Sequence, residues 1–413
     1  AFFPVHRPII EHIRQGTVSG LTGGCNGPIG EAVSSGLLPQ PVVFRSHGGR
    51  ARALEEKSLK VDVSFIAAAS ADRYGNLSGL GGGSAFGSLG YAKVDALAAE
   101  KVIGVTDCLS SSPLKRVSIP GEKVDWIVTV DSIGEPSGIA TGSLSGTRDP
   151  VRLEMARLAA EVAKACGVLR DGMSMQCGSG GATLAAAGFV GSIMKEKGVK
   201  GSFALGGVTS YLVGLLEQDL FDVIHDVQTF DAGAVSSLVK NENHVEISAA
   251  QYASMHRSAP LVAFLDLAFL SALEVDVHFN VNVITETDGV IRHGMGGHPD
   301  VAQGAQLTIV IAPLVRGRVP VVQERVTTVC TPGEHVDVLV TDHGIAVNPA
   351  RPEIKEDLVH AGLPVVDIHD LKKRAEEISG KLDPIRFTDR IVAIVEDPYG
   401  NITDKICQIE QDN

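Results

Sequence analysis

Residues 174–198 read SMQCGSGGATLAAAGFVGSIMKEKG. Four residues of strand character run into a glycine-rich turn, and the turn runs into an apolar, alanine-rich stretch that ends at Gly198. Glycine takes the left-handed conformation at a helix C-terminus more easily than any other residue, so Gly198 marks a stop. The spacing predicts a helix from about Gly181 to Gly198 with its first N–H groups at the turn. Parallel strands need crossover helices of this kind, and the expected fold class is α/β.

The rest of the chain repeats the alternation. Short, β-branched apolar runs at 42–44, 61–68, 102–106, 126–130, 203–206, 223–230, 261–267, 275–283, 307–311 and 336–341 predict strands, read as buried and mostly parallel. Asp149 and Pro150 form an N-cap and first-turn pair, and VRLEMARLAAEVAKAC then runs to Gly167, predicting a helix. An amphipathic helix is expected around 370–378. Residues 131–147, DSIGEPSGIATGSLSGT, have no apolar periodicity and read as a connection between two subdomains, 1–148 and 149–413. ADRYGNLSG (71–79) and EDPYGNITD (396–404) share D-x-Y-G-N after an apolar run, either as a duplicated strand-turn unit or through a common turn preference of Asp, Gly and Asn.

Composition narrows the function. The 413 residues give room for two or three domains, and 44% hydrophobic with 5% aromatic content fits an Ala/Val/Gly-rich enzyme. A net charge of −13 argues against nucleic acid as a partner, since phosphates need a concentrated basic face. No apolar run reaches transmembrane length and no signal-peptide pattern opens the chain, so a cytoplasmic protein is expected. Six scattered cysteines without a CxxC pair fit reduced thiols. His278, His293 and His298 match no metal-site spacing, so no metal is expected. After Gly178 and Gly180 the sixth position of a dinucleotide fingerprint is Thr183, and neither a Walker A sequence nor a GxSxG elbow is present.

A second glycine turn, HGMGGHPDVAQGA, spans 293–305. Backbone N–H groups converging at such turns can hold a carbonyl oxygen that becomes an oxyanion, which is equipment for acyl chemistry. Together with SHGGR (46–50), GSLGYAKVDA (87–96), FALGGVT (203–209), DVQTFD (226–231), ALEVDVHFNVNV (272–283), APLVRGRVP (312–320) and LVTDHGIAVNPARPE (339–353), these strings make the sequence resemble the α subunit of citrate lyase, within the wider CoA-transferase superfamily. The resemblance covers essentially the whole chain, except that family members are expected to carry a further N-terminal segment of about a hundred residues.

The resemblance implies two CoA-transferase-type subdomains with mostly parallel sheets flanked by helices, and an active site in the cleft between them. It implies exchange of an acyl group on a thioester, acetyl carrier plus citrate giving citryl carrier plus acetate. The thioester would sit on a CoA-like, phosphopantetheine-type prosthetic group of an acyl-carrier (gamma) subunit, with acetyl-CoA able to stand in, and a lyase (beta) subunit would cleave the product. A homo-oligomer within a larger complex is expected, with no nucleic acid and no membrane.

In glutamate-dependent relatives the corresponding strand ends in a pattern like H-T-E-M-F-S-D-G. Here D-V-Q-T-F-D-A-G puts Gln228 in the glutamate's place, and an amide is a poor nucleophile. Direct attack by a citrate carboxylate through a mixed anhydride is therefore expected, with Gln228 orienting it, unless Gln228 only caps a turn. Gly178, Ser179, Gly180 and Gly181 are candidates for the thioester and its oxyanion, where one donor contributes on the order of 3 kcal/mol. Gly294, Gly296 and Gly297 are candidates for the thioester arm, and His298 for protonating or orienting the leaving group, although either turn could be a plain connection. Candidate citrate ligands are His47, Arg50, Asn280, Asn282, Arg292 and His293. The alternatives are a thioester hydrolase or another carboxylate CoA-transferase on the same scaffold, or a non-catalytic subunit that docks an acyl carrier.

Overall fold

The computed structural model describes residues 2–139, 146–257 and 259–410. They form two compact units, each assembled from separate stretches of chain. The first comprises Ala1–Gly49, Asp149–Cys166 and Ala268–Asn413, and the second Arg50–Arg148 and Gly167–Leu267. The chain thus changes unit at 148/149 but also at 49/50, 166/167 and 267/268. Part of the connecting stretch expected at 131–147, residues 140–145, lies outside the described residues.

In the second unit four parallel strands stand in the order His244–Glu246, Phe221–Thr229, Gly201–Val208, Ser174–Cys177. The helices Gly181–Lys197, Ser210–Glu217 and Ala232–Lys240 are the crossovers that parallel pairing demands. Their ends follow local chemistry. Gly198 closes the first in the left-handed conformation at φ 67, and the Asp231 carboxylate accepts from Ala234 N to cap the third. All four residues of Ser174–Cys177 are buried.

The same unit holds a three-stranded parallel sheet of Val63–Ala68, Lys101–Thr106 and Trp126–Thr129. Ile66, Ala68 and Val102 pack with Leu77, Leu89, Ala96 and Ile119. These strands were expected to be buried throughout, yet Phe65, Ile103 and Trp126 are opposite one another in register and share a face on which Phe65 is 72% and Trp126 53% exposed. A continuous apolar run names a strand without saying that both faces are covered.

In the first unit Leu307–Ile311 pairs in parallel with Val338–Thr341, which turns into antiparallel Gly344–Val347. The helix Pro150–Ala165, capped by the Asp149 side chain on Val151 N, buries Met155, Ala156, Ala159, Ala160, Val162 and Ala163. Val42–Phe44 pairs in parallel with Phe387–Glu396, itself antiparallel to Ile402–Ile409. Their core includes Ile29, Phe44, Ile284, Ile291 and Ala393. The amphipathic helix expected near the C-terminus is Ile368–Ser379.

Two expected strands are corrected. Residues 261–264 form a 3-10 turn, Leu261–Phe264, and the strand begins later as Leu267–Ser271. Residues 275–283 are a hairpin of Glu274–Asp276 and Val281–Asn282. Its turn explains the D-x-Y-G-N echo. Asp72 Oδ1 accepts from Tyr74 N and Asn76 N while Oδ2 accepts from Asn76 Nδ2, and Asp397 does the same with Tyr399 and Asn401. Asp276 repeats the pattern with His278 and Asn280, in a third copy whose Phe279 takes the positive φ of 64 that glycine takes elsewhere. In two copies the asparagine Oδ1 then accepts from a glycine of a P-G-E turn, Gly121 or Gly333. The Asx turn joined to a P-G-E turn therefore occurs in both units, and the first unit carries a further Asx turn at Asp397.

Candidate functional site

In the second unit, Gly178–Gly181 joins a buried strand to the N-terminus of a 17-residue helix. The hydroxyl of buried Thr183 reaches the carbonyls of Gly178 at 2.6 Å and Gly180 at 2.7 Å, which fixes the turn. The first-turn amides have no intrahelical acceptor and the turn is partly exposed, so its donors are available to an anionic oxygen. The glycines are not there for positive φ: of the turn residues singled out in the sequence, Gly296 alone has one, at 58. Gly294 is required by contact, since a Cβ there would lie 2.6 Å from Gly24 Cα.

Gln228 ends the Phe221–Thr229 strand two strands away from that turn. It is half-buried, and its carboxamide makes no hydrogen bond among the described residues. A β-bulge lies between Asp226 and Gln228, so that Gly207 and not Val208 stands opposite Gln228. Bulges re-aim side chains, and this one is firmly held. Asp226 is fully buried, with Oδ2 accepting 2.7 Å from Thr229 Oγ1 and 3.1 Å from His244 Nε2. The other ring nitrogen of His244 meets Ser237 Oγ at 3.0 Å. Burial raises the Asp226 pKa against the opposing pull of His244. Ser88 N donates to Thr229 Oγ1 and Ser88 Oγ to Asp226 O, which pins the GSLGYAKVDA segment to the same strand end.

In the first unit Ser46–Gly49, where the helix His47–Glu55 begins, and the second glycine turn come together. His47 N donates to Gly296 O at 3.0 Å, and the His47 ring lies 3.7 Å from where a Gly296 Cβ would be. The buried Asp300 carboxylate accepts from Ser46 Oγ at 2.6 Å and from Gly48 N at 2.9 Å. Burial raises its pKa to about 7 against these donors. Burial also lowers His47 to about 3 and His298 to about 4, so both imidazoles are neutral. His298 Nε2 faces Ser271 O at 3.1 Å and must carry the proton, leaving Nδ1 to accept from Thr331 Oγ1 at 2.7 Å.

Other candidate citrate ligands hold carboxylates or backbone groups of the fold. Asp95 holds the Arg50 guanidinium at 2.6 and 3.1 Å. Glu31 and Asp288 hold Arg292, and Glu286 holds His293 at 3.2 Å. Asn280 belongs to the third Asx turn. Asn282 is fully buried and spends its Nδ2 on Glu274 and Thr285 and its Oδ1 on Ile284 N and Thr285 N.

The Asp226–His244 pair, the Ser46–Asp300 contact and the Gly206–Gly207 pair escaped sequence reading. Only FALGGVT offered a signal, because Gly207 admits the Phe230 ring, 2.0 Å from where its Cβ would stand. Among the described residues no cluster of His, Cys, Asp and Glu is placed to hold a metal ion, and no helix is long and apolar enough to cross a membrane.

A family profile described as Citrate lyase, alpha subunit (CitF) matches residues 1–409. The citrate lyase alpha chain of Escherichia coli K12 is 46% identical over 407 residues, which is 98% of this chain and 80% of that relative. A solved structure from Streptococcus mutans, described as an alpha subunit of citrate lyase in complex with citrate, superimposes with a TM-score of 0.96 at 45% identity, covering 99% of this chain and 80% of that one. The 4-hydroxybutyrate CoA-transferase of Porphyromonas gingivalis shares the fold at a TM-score of 0.51 and 15% identity, covering 86% of this chain and 96% of that one. The fold is of the CoA-transferase type, and the chain belongs to the citrate lyase alpha subunit family.

Proposed function

We propose that this chain exchanges the acyl group of a carrier thioester, converting acetyl carrier and citrate to citryl carrier and acetate, by direct carboxylate attack. A citrate carboxylate oxygen adds to the acetyl carbonyl, the carrier thiolate leaves, and an acetyl-citryl mixed anhydride forms. The thiolate then adds to the citryl carbonyl and acetate departs, so no enzyme-bound acyl group is needed. The observation that carries this reading is Gln228, an unpartnered amide at a bulged strand end where a nucleophilic carboxylate would be required for the covalent route.

In this reading the N–H groups of Gly180 and Gly181 receive the oxyanion, beside Gly178 and Ser179. Gln228 orients the attacking carboxylate. Gly294, Gly296 and Gly297 admit the thioester arm, and neutral His298, held by Ser271 O and Thr331 Oγ1, fixes the end of that turn. His47 is retained as a citrate contact for its place beside Gly296 in the second glycine turn. Arg50, Arg292 and His293 would have to give up their carboxylate partners and are set aside. The arm is a CoA-like group on an acyl-carrier subunit, a lyase subunit consumes the product, and the complex works in the cytoplasm. Acetyl-CoA incubated with citrate should yield citryl-CoA and acetate, and neither hydroxylamine nor borohydride should label a carboxyl group of the enzyme during turnover. A labelled enzyme glutamate or aspartate refutes direct attack, and acetyl-CoA loss without citrate favours a hydrolase.

A further inference from the structure

Gln176, at the end of the Ser174–Cys177 strand, is 7% exposed, and its carboxamide makes no hydrogen bond with any described residue. Its Oε1 is buried without a donor. Buried side-chain acceptors are nearly always paired, so such an atom calls for an explanation. Packing does not supply one. Gly206 approaches the aliphatic part of the side chain, with its Cβ position 3.4 Å from Gln176 Cγ, and an apolar residue of the same length would fill that space without burying a polar group.

The position is informative. Gln176 stands opposite Leu205, and Leu205 opposite His225. Beyond the bulge Gly207 stands opposite Gln228. Residues opposite one another share a face, so Gly207 and Gln228 share one, and without the bulge Gln228 would point to the other. Between the two register pairs Gly206, at φ 117, brings its Cβ position to within 3.4 Å of Gln176 Cγ and 3.6 Å of its Nε2. Thr209, which follows the intervening strand, is also buried with an unpartnered Oγ1. Three neighbouring strands thus each end in a polar side chain without a partner among the described residues, at the carboxyl edge where α/β sheets bind ligands.

We propose that Gln176 is a second ligand-contacting carboxamide, whose oxygen accepts a hydrogen bond from a neutral donor group on a substrate of the reaction proposed above, on which this inference rests. A carboxylate offers only acceptors, so the donor is an alcohol O–H of the hydroxy acid or an amide N–H of the thioester arm. Both present the same chemistry to Oε1, and kinetics separates them.

The test is the Gln176→Met variant of the whole protein, which keeps the side-chain length and removes the polar group. Because an unpaired buried amide is lost, its thermal unfolding midpoint should equal or exceed that of the unaltered protein, while kcat/KM falls about tenfold to a hundredfold. With the hydroxyl as partner, the preference for citrate over tricarballylate, which lacks the hydroxyl, collapses by at least tenfold in the variant. With the arm as partner, KM for acetyl-CoA rises by at least tenfold, and the defect disappears with a short acetyl thioester that carries no amide. Either result supports the proposal. Substrate preferences that match the unaltered protein's, or a fall in the unfolding midpoint with equal loss on every substrate, overturn it in favour of a bound water or a structural role. Failure of the unaltered protein to form citryl-CoA would instead overturn the transferase reading.

Discussion

Gln228 and Asp300 show how differently single polar residues can be used. Gln228 is tied to none of the described residues, so its removal should leave stability alone: Gln228→Ala is expected to keep the urea unfolding midpoint while kcat falls on the order of a hundredfold, the effect of losing about 3 kcal/mol of an oriented donor. Equal activity, or a shifted midpoint, would contradict this. Asp300 is tied to everything around it. Its folded pKa of about 7 lies above the ordinary value of 3.8, so its contribution to stability is fully present below about pH 4 and is lost as pH rises through 7. The loss is at most about 4 kcal/mol. His47 and His298, with lowered pKa values, act oppositely on acidification, their contribution being lost as pH falls below about 6.5 toward 4 and 3. Subtracting unfolding free energies of Asp300→Asn from those of the unaltered protein between pH 5 and 8 isolates Asp300, and the difference should shrink toward alkaline pH. A pH-independent difference would show that its carboxyl group is not protonated on folding.

At the scale of elements, the Asx turn is a reusable part whose energetic weight depends on where it is set. Asp72 is fully buried and also accepts from Leu114 N, whereas the Asp397 turn is exposed. Asp72→Ala should therefore destabilise by about 2–3 kcal/mol and Asp397→Ala by about 1 kcal/mol or less, as read from chemical denaturation. The D-x-x-x-N spacing was visible in the sequence for two copies. The third was hidden because Phe279 occupies the glycine position, and only the coordinates reveal its positive φ. The Asp226–Gln228 bulge is hidden too: the one-residue shift that re-aims Gln228 is a property of pairing with Gly206 and Gly207, and the apolar pattern of the strand does not carry it.

For the whole molecule, the interleaved units mean that the chain cannot be divided by one cut. The first unit needs Val42–Phe44 against Phe387–Glu396. Residues 149–413 expressed alone would leave the inner edge of Phe387–Glu396 unpaired and much of the core around Ile284 and Ile291 open. That fragment should be insoluble or lack near-ultraviolet circular dichroism, and co-expression with 1–148 should restore both. A soluble, cooperatively unfolding 149–413 fragment would refute this dependence.

Many of the strands and helices, the caps at Asp149 and Gly198, the glycine turns and the family were determined by local sequence, because propensity, capping and turn chemistry act over a few residues. Which polar groups are left over was decided only by tertiary structure. Arg50, Asn280, Asn282 and Arg292 look like ligands as letters, yet each finds a partner in the fold. Gln176 and Gln228, one unnoticed and one singled out, find none among the described residues. Hydrogen-bond satisfaction is a property of three-dimensional neighbours, many of them dozens or hundreds of residues apart along the chain, and no local pattern encodes it.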